Sequence, residues 1–465
     1  MTAVDLLILG GTIVTARPDG SVIPDGAIAI RGESIEALGP RLELEGSFQA
    51  RRTLNADGQI IFPGLVDTHT HLYQTLLKGL GDDLPLMAWL DACTLPSIPH
   101  LTTRMCYVAA ALGCIESLRS GCTTIFDYMV DHPDPAVYDA ILEACDDVGI
   151  QGILGRGLRD REAEHVPIPL PLLSEQLADS ARLVDTYGER RIWLAPGATW
   201  AMESDSLRAV RRMATQRGMR ISLHTDEVLF DSAENMRRFG LRTVPFLDSI
   251  GFLGPDVLHA HCVQLNEEDC NILARHRGAV SYNPVSNMYL GSGVPPIPRL
   301  LDLGVTVGLG ADGAASNNSQ DMLEALKVGA LLQKVAARDP AIFTAPDALR
   351  LATSGGAAAL GRDDFGTLEV GKRADLFLFD PRHAKSIPVH DPISTLVYSS
   401  GQVNVRSTVV GGKVVLDDRR IVGVDEDAIL QEAQALAEEL SELAGTRTRL
   451  EGRWGRPRSL GGALV

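Results

Sequence analysis

The chain has 465 residues, 45% of them hydrophobic and 22% charged, an ordinary globular composition that leaves room for one large core and a satellite domain and argues against general disorder. Its formal net charge of -17 would repel a phosphate backbone, and no Lys/Arg-rich run reverses that field locally, so nucleic acid is not an expected partner. Seven scattered cysteines without a Cys-x-x-Cys pair speak against a zinc finger or redox motif and for reduced core residues in a cytoplasmic protein.

In chain order, the apolar stretch Leu6-Leu7-Ile8-Leu9 is cut short by Gly10-Gly11 and has no basic leader, so neither a signal peptide nor a membrane span is expected. Residues 5–58 read as short strands broken by turns. The apolar, double-glycine, apolar phrase of Gly10-Gly11 returns at Gly411-Gly412, which suggests that residues 1–58 and 362–465 together build one small β-sandwich. From 59 to 361 short apolar runs alternate with helix-patterned stretches, with strand candidates at 121–126, 192–195, 220–224, 257–262, 279–283 and 305–312. That alternation over roughly 300 residues predicts an α/β fold, a closed (β/α)8 TIM barrel. An open doubly wound sheet is the alternative, disfavoured because no glycine-rich phosphate turn follows the first strand. Residues 426–444 carry apolar positions at helical spacing ending at Gly445, a surface helix. The Arg- and Gly-rich tail 449–465 reads either as disordered or as an oligomer arm.

Chemistry-bearing residues fall at predicted strand ends. His69 and His71 follow the apolar run 60–66, and period-two alternation puts both imidazoles on one side of the strand, where they can share an ion. His224 closes the next such strand with Glu227 on the outgoing loop, a carboxylate able to shuttle protons. His261 ends another, and Asp312 ends a late one. Each alone has a plain structural reading: a surface or core histidine, or an aspartate in a turn or at a helix N-cap. The ordered set is more specific than its members, because barrel strand ends converge on one mouth. His259, two residues deeper than His261, reads as core.

With these residues and the segments Pro63-Gly64-Leu65-Val66-Asp67-Thr68-His69-Thr70-His71, Asp82-Asp83-Leu84-Pro85-Leu86, Asn283-Pro284-Val285-Ser286-Asn287-Met288 and Gly310-Ala311-Asp312-Gly313, the chain resembles the amidohydrolase superfamily. Within it, the likeness is to the branch of S-adenosylhomocysteine and methylthioadenosine deaminases, 8-oxoguanine deaminase and atrazine chlorohydrolase. The resemblance implies a metal-dependent aminohydrolase that attacks a ring carbon of a nitrogen heterocycle and releases ammonia. It implies His69, His71, His224 and Asp312 as ligands of one divalent metal per chain, zinc first and ferrous iron second, with Glu227, His261 and Asp312 as catalytic groups. It also implies a small-molecule substrate and a homodimer or larger homo-oligomer. Trp89, Tyr282, Ser286 and Asn287 are candidate substrate-binding residues.

The departures matter as much. Two-metal members carry a lysine at the end of the fourth strand, and none stands in 192–199, so a single metal is expected. Relatives acting on adenine nucleosides place a histidine near Gly197 and a ribose-binding glutamate near Ile98. Their absence ranks adenosine derivatives below a free purine, pterin, pyrimidine or s-triazine. Displacement of chloride or an alkylamine from a triazine, or opening of a cyclic amide, is the alternative chemistry. A non-enzymatic scaffold would be expected to have a broken ligand set, which this chain does not.

Overall fold

The computed structural model describes residues 1–161 and 170–447. The tail 449–465 lies outside the described residues. Eight strands form one sheet in sequence order: β1 (Leu65–Thr70), β2 (Cys122–Met129), β3 (Gln151–Leu158), β4 (Ile192–Pro196), β5 (Ile221–Thr225), β6 (Val257–His261), β7 (Ala279–Tyr282) and β8 (Thr306–Leu309). Adjacent strands pair in parallel. The ring closes between its ends: the Asp312 amide donates to the His69 carbonyl at 2.8 Å and Thr68 Oγ1 to the Leu309 carbonyl at 3.0 Å. This is a (β/α)8 barrel, and its strands are buried on both faces, which is why they read as nearly continuous apolar runs. Val66, Phe126, Trp193 and Leu258 pack together inside it.

The chain ends build the satellite. A seven-stranded sheet joins Thr12–Val14, Val22–Ile23 and Ile60–Pro63 to Leu376–Phe379, Val405–Val410, Lys413–Asp417 and Arg420–Ile421. A four-stranded sheet of Ser34–Pro40, Gly26–Arg31, Thr2–Leu9 and Phe48–Asn55 completes it. The apolar run 60–66, read from sequence as the first barrel strand, is in fact two strands. Ile60–Pro63 pairs antiparallel with Leu376–Phe379, and the barrel starts only at Leu65. Between them Gly64 lies so close to Thr123 that a Cβ there would collide with its side chain, so the chain passes from one domain into the other where only glycine fits.

Helix Glu426–Leu443 buries Ile429, Ala433 and Leu440. It is tied to helix Thr103–Arg119 by Arg119 Nη2 to Glu426 Oε2 at 2.6 Å and Arg104 Nε to Glu432 Oε1 at 2.7 Å. All seven cysteines are buried, and none is joined in a disulfide. Among the described residues no helix is long and apolar enough to cross a membrane.

Candidate active site at the barrel mouth

His69 lies on β1 and His71 just past its end, His224 on β5, His261 at the end of β6, and Asp312 three residues beyond β8. The structure brings them together. His71 Nε2 is 3.3 Å from His224 Nε2 and 3.4 Å from Asp312 Oδ1, and His69 Nε2 is 3.5 Å from the same oxygen. Four ligands at bonds of about 2.0–2.1 Å around a tetrahedral zinc stand about 3.3–3.4 Å apart, so the spacing suits a small cation better than direct hydrogen bonds. His69 supplies the clearest sign: it is fully buried and neither ring nitrogen has a hydrogen-bond partner among the described residues, a costly arrangement unless a cation takes the lone pair. His71 Nδ1 is 2.6 Å from the Tyr128 carbonyl. A carbonyl can only accept, so the proton sits on Nδ1 and the Nε2 lone pair faces the cluster. Burial holds the pKa of His69, His71 and His224 below the ordinary imidazole value, and neutral imidazole is the form that ligates.

Asp312 is held from all sides. Its Oδ1 accepts from the Gly313 amide at 2.8 Å and its Oδ2 from Ser316 Oγ at 3.2 Å, while Ser286 Oγ donates to Ser316 Oγ at 3.1 Å. Asp312 and His261 both sit in the left-handed backbone region, at φ 66° and 71°, which Asp and His enter more readily than most residues and which recurs at functional sites. This also corrects the expected strand 305–312, which ends at Leu309 so that the chain can turn Asp312 inward.

His261 Nε2 lies 3.6 Å from Glu227 Oε2 and 3.9 Å from Asp312 Oδ2, and its Nδ1 is 2.9 Å from Asn287 Oδ1. Burial opposes a charge on His261, but the Glu227 and Asp312 carboxylates outweigh it and raise its pKa. Burial, reinforced by the Asp312 charge, pushes Glu227 up to about 7. Burial also works against a charge on Asp312, but His261 and His71 hold its carboxyl below the usual range. The two acids therefore differ: one remains a carboxylate, the other can hold or release a proton near neutrality. His259 is core as expected, with Nδ1 2.9 Å from Thr225 Oγ1.

These groups stand at the bottom of a cleft of about 920 Å3 with its open mouth included. Leu86, Trp89, Leu90, Leu95 and Ile98 form one wall, and Trp89 Nε1 donates to the Ala315 carbonyl at 2.9 Å. Of the candidate substrate contacts, only Trp89 lines it. Tyr282 is directed away, its hydroxyl donating to the Gly329 carbonyl at 3.2 Å, because the pleat that puts Ser281 inside the barrel sends residue 282 toward the surrounding helices. Ser286 and Asn287 stand behind Asp312 and His261 and orient them. Sequence reasoning missed Asp131 and Arg159, which also line the cleft; the signal available was a charged residue just past each of two strands.

The amidohydrolase family profile matches residues 60–415, and the chain belongs to that family. It is an enzyme, a hydrolase of carbon–nitrogen bonds in cyclic amidines. Among curated proteins it is similar to the 5-methylthioadenosine/S-adenosylhomocysteine deaminase of Syntrophobacter fumaroxidans, 37% identical over 439 residues that cover 93% of this chain and 98% of the relative. Among solved structures it is similar to a zinc-bound adenosine deaminase from Xanthomonas campestris, with TM-score 0.89, 30% identity and coverage of 95% and 99% of the two chains. A zinc complex of atrazine chlorohydrolase from Arthrobacter aurescens matches with TM-score 0.86, 27% identity and coverage of 93% and 100%.

Proposed function

We propose that this protein is a mononuclear metal-dependent deaminase of adenosine-type nucleosides, replacing the amino group on the purine ring by oxygen and releasing ammonia. The observation that carries the chemistry is the convergence of His69, His71, His224 and Asp312, with Glu227 and His261 beside them, on one point at the bottom of a cleft. The choice of a nucleoside over a free base rests on the relatives, whose names carry adenosine derivatives. This outweighs the ranking drawn from Ile98 and Gly197, which removes two polar contacts without showing what replaces them.

His69, His71, His224 and Asp312 would hold the ion, with zinc as the resident metal; a divalent ion there supplies a water that can lose its proton near neutral pH. Asp312 accepts that proton while the water oxygen forms its bond to the ring carbon. Glu227 gives a proton to the adjacent ring nitrogen, so that negative charge does not accumulate on the ring. His261, protonated on both nitrogens, directs Nδ1–H at Asn287 and donates Nε2–H to the attacking oxygen, which stabilises the charge developing there. The carbon–nitrogen bond then breaks, the leaving amine takes up a proton and departs as ammonia, and the ring nitrogen and new oxygen settle as a cyclic amide.

Ammonia release from adenosine, 5'-deoxyadenosine, methylthioadenosine and S-adenosylhomocysteine, run beside adenine, guanine, isoxanthopterin and an aminotriazine, tests the proposal. Turnover of at least one nucleoside well above every free base is expected. Ammonia release from free bases or triazines alone, with all nucleosides inert, would refute the substrate assignment.

A further inference from the structure

The chemistry occupies the ends of β1, β5, β6 and β8. Across the cleft, just past the ends of β2 and β3, stand Asp131 and Arg159, which the reaction does not use. Both line the cleft, yet their side chains are only 10% and 8% exposed. Arg159 Nη2 donates to Asp131 Oδ2 at 3.2 Å. Arg159 Nε lies 3.2 Å from Asp131 Oδ1 without making a hydrogen bond, and it has no other partner among the described residues. The approach of the two is built in: a Cβ at Gly157 would strike the backbone at Val130 and Asp131, so β3 can bring Arg159 alongside only with glycine there.

A buried ion pair is a poor source of stability, because desolvation offsets the attraction. One with an unused donor in the wall of a ligand cleft therefore points to recognition. A carboxylate offers about four lone-pair sites, and Arg159 reaches Asp131 through two nitrogens at most. That leaves acceptor capacity for two hydroxyl groups. The pair has no net charge, which suits a neutral diol better than a phosphate or carboxylate. It also lies in the same cleft as Ile98 and Gly197, the positions where nucleoside-deaminating relatives carry polar groups. Among the described residues of the cleft, Asp131 and Arg159 are the one cation–anion pair outside the chemical cluster.

We infer that Asp131 and Arg159 are specificity-determining residues that bind the vicinal hydroxyls of the substrate's ribosyl group, an inference that rests on the nucleoside reading above. Asp131 accepts from both hydroxyls, and Arg159 holds the carboxylate in place. The subsite takes over the role that Ile98 and Gly197 cannot perform.

The test is initial-rate ammonia release by the zinc-loaded full chain with adenosine and 2',3'-dideoxyadenosine, comparing wild type, Asp131→Asn, and the double variant Asp131→Asn with Arg159→Gln. The double variant avoids leaving a buried cation unpaired. Wild type should prefer adenosine in kcat/KM by roughly 10- to 100-fold, the order expected when hydroxyl contacts to a charged group are lost. The preference should fall several-fold in Asp131→Asn and nearly vanish in the double variant, chiefly through KM. Equal wild-type rates on the two nucleosides, or a preference that survives in both variants, would overturn the subsite and leave the nucleoside reading standing. No wild-type turnover of either nucleoside, with ammonia released from a free base or triazine, would overturn the nucleoside reading and the subsite with it.

Discussion

The two sides of the cleft are built differently. On the chemical side three of the functional groups are held by neighbours: His71 is fixed through Tyr128, His261 through Asn287, and Asp312 through Gly313, Ser316 and the left-handed backbone. Away from these groups the cleft is lined by a helical segment carrying Leu86, Trp89 and Ile98 and by one ion pair. Rigid strand ends suit bond-making, where small displacements cost rate, whereas a wall of side chains on connecting segments can change its ligand without disturbing the centre. Substitutions on the first side should therefore act on kcat or metal content, and those on the second on KM and substrate choice.

The largest effect expected is that of His71→Ala. It removes the imidazole common to the 3.3 Å and 3.4 Å contacts of the cluster, so bound metal measured by atomic absorption should drop from about one ion per chain to near zero, with ammonia release disappearing alongside. Wild-type rates in a variant free of metal would break the chemical side of the comparison. Glu227→Gln comes next: it keeps shape but cannot deliver a proton, and kcat should fall by roughly 10^2- to 10^4-fold with metal content retained. A loss confined to KM would move Glu227 from proton transfer to binding.

Asn287→Ala is smaller and sharper. Asn287 does not itself line the cleft, yet its Oδ1 lies 2.9 Å from His261 Nδ1, so its removal should free the His261 ring with little change to the pocket. By analogy with the loss of groups that orient a metal-site imidazole, a decline of roughly 10- to 100-fold is expected, carried by kcat with KM nearly unchanged. A change carried by KM would instead return Asn287 to the substrate-contact role that its sequence position suggests.

The same divide governs what could be read from the sequence. The barrel and the histidine–aspartate set are legible because strand ends of a closed barrel meet at one mouth, so His69, His224, His261 and Asp312 could be placed without knowing any loop. Strand β3 was not singled out. Its sequence, Gln151-Gly152-Ile153-Leu154-Gly155-Arg156-Gly157-Leu158, is punctuated like a turn, and the reason is tertiary: Cys145 closes on Gly152, Phe126 and Ala195 on Gly155, and the β2 tail on Gly157. Overlooking β3 hid Arg159 at its end, and with it the partnership with Asp131. Tyr282 failed for a related reason, since position next to a motif does not say to which face of a strand a ring is turned. The passage at Gly64 was equally hidden, because two strands of different sheets share one apolar run.

Trp89→Phe carries the smallest expected effect and tests the permissive side directly. The ring remains to pack against Leu86 and the rest of the wall, and only the 2.9 Å donation from Nε1 to the Ala315 carbonyl is lost. That bond joins the helical wall to the loop that also carries Ser316, three residues beyond Gly313 and in contact with Asp312. A neutral hydrogen bond contributes about 0.5–1.5 kcal/mol, so KM should rise by a few-fold to about tenfold, with kcat changing less than KM and metal content constant. If kcat fell by as much as it does in Asn287→Ala, the wall and the Asp312 loop would have to be one mechanical unit, and the two sides of the cleft would no longer be separable.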